Sequence, residues 1–175
     1  MSTRSTIGLE RADGSILCAY SHWDGYPTHN GLILLRNYDT PDKIEALLEH
    51  GDISILGEVP GLTQDFDHPQ DGYTLYYGRD RGEEGTEVHA VPGRLELIDM
   101  VNHNGSEWVY LFAGIWLCQP VVWGKPPRAV FEDLREVTKR EVNDLISRIP
   151  SFTWMSEEAK ADYAQEMERQ LEALQ

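Results

Sequence analysis

A chain of 175 residues with 41% hydrophobic and 26% charged residues can bury a core without disulfides or a structural metal, and a mean hydropathy of -0.45 with no long apolar run argues against a membrane-spanning helix. The net charge of -15 argues against direct nucleic-acid binding, which needs a basic footprint on phosphate. Acid is concentrated in residues 41–110, with 15 Asp and Glu against 4 Lys and Arg, a distribution that confers solubility and suits a partner with a basic surface.

Two β-prone runs, residues 7–10 and 16–20, flank Asp13-Gly14 and predict an opening hairpin. Alternation along the second strand puts Cys18, Tyr20 and His22 on one face and Ala19, Ser21 and Trp23 on the other. The strand breaks at His22-Trp23-Asp24-Gly25-Tyr26-Pro27, where Gly25 admits unusual backbone and Pro27 fixes its own φ. Asn30 is the expected N-cap of a short helix over residues 32–35. Thr40 as N-cap, Pro41 at the first position, Ile44, Leu47 and Leu48 on one face, and Gly51 past the end specify a second helix.

Residues 51–72, rich in Gly, Pro and Asp, read as a long loop, 73–77 as a strand, 78–85 as a polar loop and 86–91 as another strand. Residues 95–101 and 107–111 flank Asn102-His103-Asn104-Gly105 and predict a second hairpin, with 115–118 extending it or adding a strand. From Arg128 to Pro150 the apolar residues recur at helical spacing. Ser156 caps a final helix whose stripe of Tyr163, Met167, Leu171 and Leu174 suits packing on the domain or on a second copy as a homo-oligomer. The expectation is an α+β fold: an antiparallel β-sheet of five or six strands with helices packed against it and an acidic amphipathic C-terminal helix. Residues 1–150 form one domain and 151–175 the terminal helix.

The N-terminus shows no basic segment leading into an apolar run and a cleavage site, which predicts a cytoplasmic protein. Cys18 and Cys118, each in an apolar stretch, are expected as buried free thiols. No familiar catalytic triad, nucleophile elbow or zinc spacing is present, so no catalytic residue, cofactor or metal is assigned. Asp65, Asp67, His68 and Asp71 lack the glycine and terminal glutamate of a calcium loop. His22 and Asp24, two apart, have the composition of a general-base pair and equally of a structural bend. Trp23 and Tyr26 are candidates to stack a planar ligand, and Arg4, Arg79 and Arg81 to take its anionic group or to pair with neighbouring acids.

Ser2-Thr3-Arg4-Ser5, the His22–Pro27 corner, Asn30-Gly31 with Leu34-Leu35, Gly51-Asp52-Ile53-Ser54 with Leu56-Gly57, and Tyr77-Gly78-Arg79-Asp80-Arg81-Gly82-Glu83-Glu84-Gly85 together resemble a family of small uncharacterised bacteriophage and prophage proteins. The resemblance covers the first half, with Glu107-Trp108-Val109-Tyr110 a weaker echo, and implies a phage or prophage origin without implying chemistry. The leading expectation is a small acidic accessory protein that binds and inhibits or redirects a host protein, defence proteins included. Two alternatives stand beside it: a protein that binds or sequesters a nucleotide-like small molecule, and a small hydrolase using His22 and Asp24.

Overall fold

The computed structural model describes residues 2–174. Asp13 Oδ1 accepts from the amide and hydroxyl of Ser15, at 3.0 and 2.6 Å, and Gly14 takes φ +85°, so the turn closes as expected between β1 (Ser5–Glu10) and β2 (Ile16–Ser21). The chain then turns through a short π-helical segment, Pro27–Gly31, into α1 (Leu32–Asn37) and α2 (Pro41–Leu48). Thr40 caps α2 by accepting from Lys43 N, and Ile44, Leu47 and Leu48 are buried, as the sequence pattern requires. The remaining strands are β3 (Ile53–Ile55), β4 (Leu75–Tyr76), β5 (His89–Val91), β6 (Trp108–Phe112), β7 (Trp116–Pro120) and β8 (Glu132–Asp133). The remaining helices are α3 (Tyr77–Arg81), α4 (Arg94–Asn104), α5 (Leu134–Arg148) and α6 (Glu157–Glu172).

The fold is α+β, but the sheet is mixed and has eight strands. Its order is β4-β3-β2-β1-β6-β7-β8, with β5 also pairing with β2. β1 runs parallel to β6 and β2 parallel to β3, which corrects the purely antiparallel expectation. Because β1 occupies one edge of β2, β3 and β5 share the other, β3 at Ser21 and β5 at Ile16–Cys18. β5 is antiparallel to β2, which is antiparallel to β1, so β5 and β6 point the same way. A chain joining two strands of the same sense needs a crossover rather than a tight turn.

Residues 94–104 supply that crossover as α4, where the sequence had suggested a strand and a hairpin turn. Leu97, Ile98 and Val101 are buried at helical spacing while Leu95 is 56% exposed, and Gly105, at φ +80°, ends the helix rather than turning a hairpin. Further boundaries move, and β3 (Ile53–Ile55) lies inside the stretch that reads as a long loop because it pairs with β2 and β4. Tyr77–Arg81 is a helical turn ended by Gly82 at φ +74°, not a polar loop. The long helix begins at Leu134, capped by Asp133, because Glu132–Asp133 pair with β7 as a strand and the Gln119 side chain takes Arg128 O and Val130 N. Asn30 caps nothing: Gly31 precedes α1, and the Asn30 side chain is drawn into the core instead.

Side-chain alternation divides the core between the two faces. Ile7, Leu9, Ala19, Tyr110, Phe112 and Cys118 pack with residues of α1, α2 and α5. Ile16, Cys18, Val109 and Leu111 pack with α4. Cys18 and Cys118 are therefore free thiols buried on opposite faces, and burial pushes each up to about 12. Ser156 caps α6 by accepting from Ala159 N, and Val142, Ile149 and Met167 make a third cluster that seats α6 on α5. Arg135 Nη1 donates to Leu174 O at 2.8 Å, fastening the end of the chain. Among the described residues no helix is long and apolar enough to cross a membrane.

Candidate functional site

The corner at residues 22–27 is built inward. Tyr110, fully buried, donates its hydroxyl to Gly25 O at 2.7 Å, and Gly25 N donates to Thr3 O at 2.8 Å. A Cβ on Gly25 would lie 2.7 Å from the Arg4 carbonyl carbon and 2.9 Å from Ser5 N, so the chains approach too closely for any side chain. Asn30 Nδ2 faces Ser5 Oγ at 3.4 Å, Ser21 Oγ at 3.3 Å and Trp23 O at 3.2 Å, tying β1, β2 and the corner together.

This frame separates residues that the sequence had grouped. β2 ends at Ser21 and Asp24 takes φ +54°, so strand alternation does not carry from His22 to Asp24. His22 Nδ1 shares a 2.9 Å hydrogen bond with Tyr20 Oη, whereas Asp24 Oδ1 accepts from Tyr26 Oη at 3.3 Å. Trp23, 44% exposed, sets its ring edgewise on His22 at 4.8 Å between centroids, while the Tyr26 ring lies 6.0 Å from His29. Burial, then the Asp24 carboxylate, pushes the Tyr26 phenol up to about 12.

Arg79 is saturated within the fold. Its guanidinium donates to Pro60 O, Gly61 O and Thr74 O and takes both oxygens of Asp80, and it lies 4.5 Å over the Tyr76 ring. Arg81 is exposed and lies 5.1 Å over Phe66, whose ring is 5.7 Å from Tyr77, which in turn is 6.3 Å from His22. Trp23, His22, Tyr77 and Phe66 thus make a row of rings with Arg81 at its far end.

Arg4 stands near the other end of that row. Its backbone is pinned to β6, accepting from Glu107 N at 2.8 Å. Its Nε is buried without a hydrogen-bond partner, and none of the ion pairs among the described residues involves it. Burial, reinforced by the Arg4 charge, lowers the His22 pKa, so the imidazole is neutral near pH 7. Burial raises the Tyr20 phenol against the pull of Arg4. With the imidazole neutral and Nδ1 engaged by the Tyr20 hydroxyl, Nε2 is the ring nitrogen left to meet a ligand.

Beside these groups opens a cleft of about 470 Å³ lined by Tyr20, Asp52, His89, Met100, His103 and Asn104. The flank at Gly105 touches Arg4: a Cβ there would lie 3.4 Å from Arg4 Nη1. Asp52 Oδ1 accepts from Tyr20 N at 2.9 Å, and burial raises its pKa. His103 Nδ1 faces Asp99 O at 2.8 Å, and since a carbonyl only accepts, Nδ1 carries the proton. Comparison with protein families, curated proteins and solved structures found no match.

The structure therefore brings Arg4, His22 and Trp23 into one neighbourhood, places Asp24 and Tyr26 beside each other, and holds Arg79 elsewhere as part of the fold. Sequence reasoning missed Tyr20, Asp52, His89, His103 and Asn104 as cleft residues. Tyr20 carried a signal, since alternation set it on the face of His22; the others arrive from α4, β5 and the start of β3 and had none.

Proposed function

We propose that this protein binds a small nucleotide-like ligand, with a phosphate at Arg4 and its ring against the Trp23–His22–Tyr77 row. The observation that carries the reading is the buried Nε of Arg4, without a hydrogen-bond partner among the described residues, in a chain with 30 acids and 15 bases. A cation in a half-buried place is costly without an anion, and with carboxylates in twofold excess the fold leaves this one to be met from outside. The neutral His22 adds a polar ring nitrogen next to it without adding a charge.

Calorimetric titration with adenosine monophosphate, against inorganic phosphate, tests the reading. Binding of either, weakened about tenfold to a hundredfold by Arg4→Gln, is the expected result, since a charge-assisted hydrogen bond contributes about 1.5–3 kcal/mol. Absence of binding by both, or binding indifferent to Arg4→Gln, overturns it.

The phage or prophage accessory reading, in which the chain binds a host protein with a basic surface, is favoured by a second observation. α2 and the loops of residues 57–72 and 82–87, which flank β3 and β4, carry most of the acid of residues 41–110, and β4 is one end of the sheet. That end of the molecule attracts a basic surface through screened charges. Capture of one host protein that fades steeply with added salt supports it, and capture unaffected by salt overturns it.

A further inference from the structure

We propose that the slot between α4 and the segment joining β7 to β8 is a second binding site, for a small molecule with an apolar body and a carboxylate. The segment of residues 121–131 is held as an arch. Gln119, nearly buried, donates Nε2 to Arg128 O at 3.0 Å and accepts from Val130 N at 2.8 Å, and Trp123 Nε1 donates to Ser106 O at 3.1 Å. Beneath the arch lies a cavity of about 460 Å³, walled by Ile98, Pro120, Val122, Pro126, Pro127 and Val130. Volumes of about 300–1,000 Å³ with mostly apolar walls are those of small-ligand sites.

Charge names the other half of the ligand. Residues 121–131 contain two bases, Lys125 and Arg128, and no acid, within a chain of net charge -15. Both bases line the slot, and neither takes part in an ion pair among the described residues. Glu132, the one acid at the slot, faces Arg140 at 3.3 Å. The polar groups that hold the arch are engaged with each other, so the two cations remain to meet a ligand. A carboxylate fits their fork and point charge, and its single negative charge balances the net charge of the two cations and Glu132 at the slot.

The slot and the cleft at Tyr20 and Asp52 share no lining residue, Arg4 does not line the slot, and the two sites are separable by experiment. Calorimetry with octanoate, against octylammonium as a chain of equal length and opposite charge, reads the assignment. The expected result is one octanoate per chain, with octylammonium weaker. Lys125→Glu with Arg128→Glu weakens octanoate about tenfold and reverses the preference, as two screened ion pairs dictate. Val130→Trp, a change at a residue 68% exposed and so compatible with folding, fills the slot and abolishes binding. Arg4→Gln leaves octanoate binding unchanged.

No binding at millimolar octanoate, equal binding of both probes, or sensitivity to Arg4→Gln overturns the proposal. A leucine-terminated tetrapeptide binding more than about tenfold tighter than octanoate also overturns it, in favour of a protein C-terminus as the occupant.

Discussion

Arg79 and Arg4 begin from the same side chain and arrive at opposite surroundings. Arg79 donates to three carbonyls and a carboxylate and lies on a tyrosine ring, and its partner Asp80 has a side chain with no exposed surface. Burial works to raise the Asp80 pKa, but hydrogen bonds from Arg79, Tyr76 N and Gln64 N hold it below the usual carboxylate value. Arg4 has a buried nitrogen with nothing to donate to among the described residues. A guanidinium closed on its own loop organises structure, and one left open in an acidic chain is available to a ligand.

The contrast is broken most severely at Arg79. Arg79→Ala leaves Asp80 buried without its counter-ion and should cost about 3–5 kcal/mol in urea unfolding. A loss below about 1 kcal/mol there would mean that the loop carbonyls, not the pair, hold the segment. Next comes the frame beneath Arg4. Tyr110→Phe strands Gly25 O in the core and is expected to cost about 1–3 kcal/mol, read as a lower midpoint at unchanged slope.

Arg4→Gln, by contrast, should not lower stability and should raise it by about 1 kcal/mol, because among the described residues it breaks no hydrogen bond of that guanidinium and it removes an unpaired, half-buried charge. A loss as large as that of Arg79→Ala would make both arginines structural. The smallest effect is at the acid that lines the cleft. Burial raises the Asp52 pKa in the folded chain, so the unfolded chain ionises first and stability falls as pH rises above the ordinary carboxylate value. Asp52→Asn keeps an acceptor for Tyr20 N and removes that charge. Its stability should match the native chain in acid and exceed it towards neutral pH, and a constant difference across the titration would show that Asp52 acts through its hydrogen bond alone.

Local chemistry was legible in the sequence. The Asp13-Gly14 turn, the Thr40–Pro41 start of α2 and the Ser156 cap of α6 each rest on contacts a few residues long. What was not legible depends on partners distant in sequence. Residues 95–101 have apolar content that suits a strand or a helix, and the parallel pairing of β1 with β6, about a hundred residues apart, decides for the helix. The same holds at the candidate site. His22 and Asp24 look like a pair because they are neighbours in sequence, yet the left-handed backbone at Asp24 parts them, and Tyr20 takes the imidazole. Arg4 and Arg79 were indistinguishable until their surroundings were seen.

The terminal strands β4 and β8 are two residues long. A neighbouring chain seeking to extend the sheet finds at either end only a couple of rungs before the backbone turns away, and at β8 both residues are acids, Glu132 and Asp133. Exposed edges normally template fibrils and edge-to-edge clumping when a protein accumulates. At β4 and β8 this sheet gives such pairing little backbone to start from.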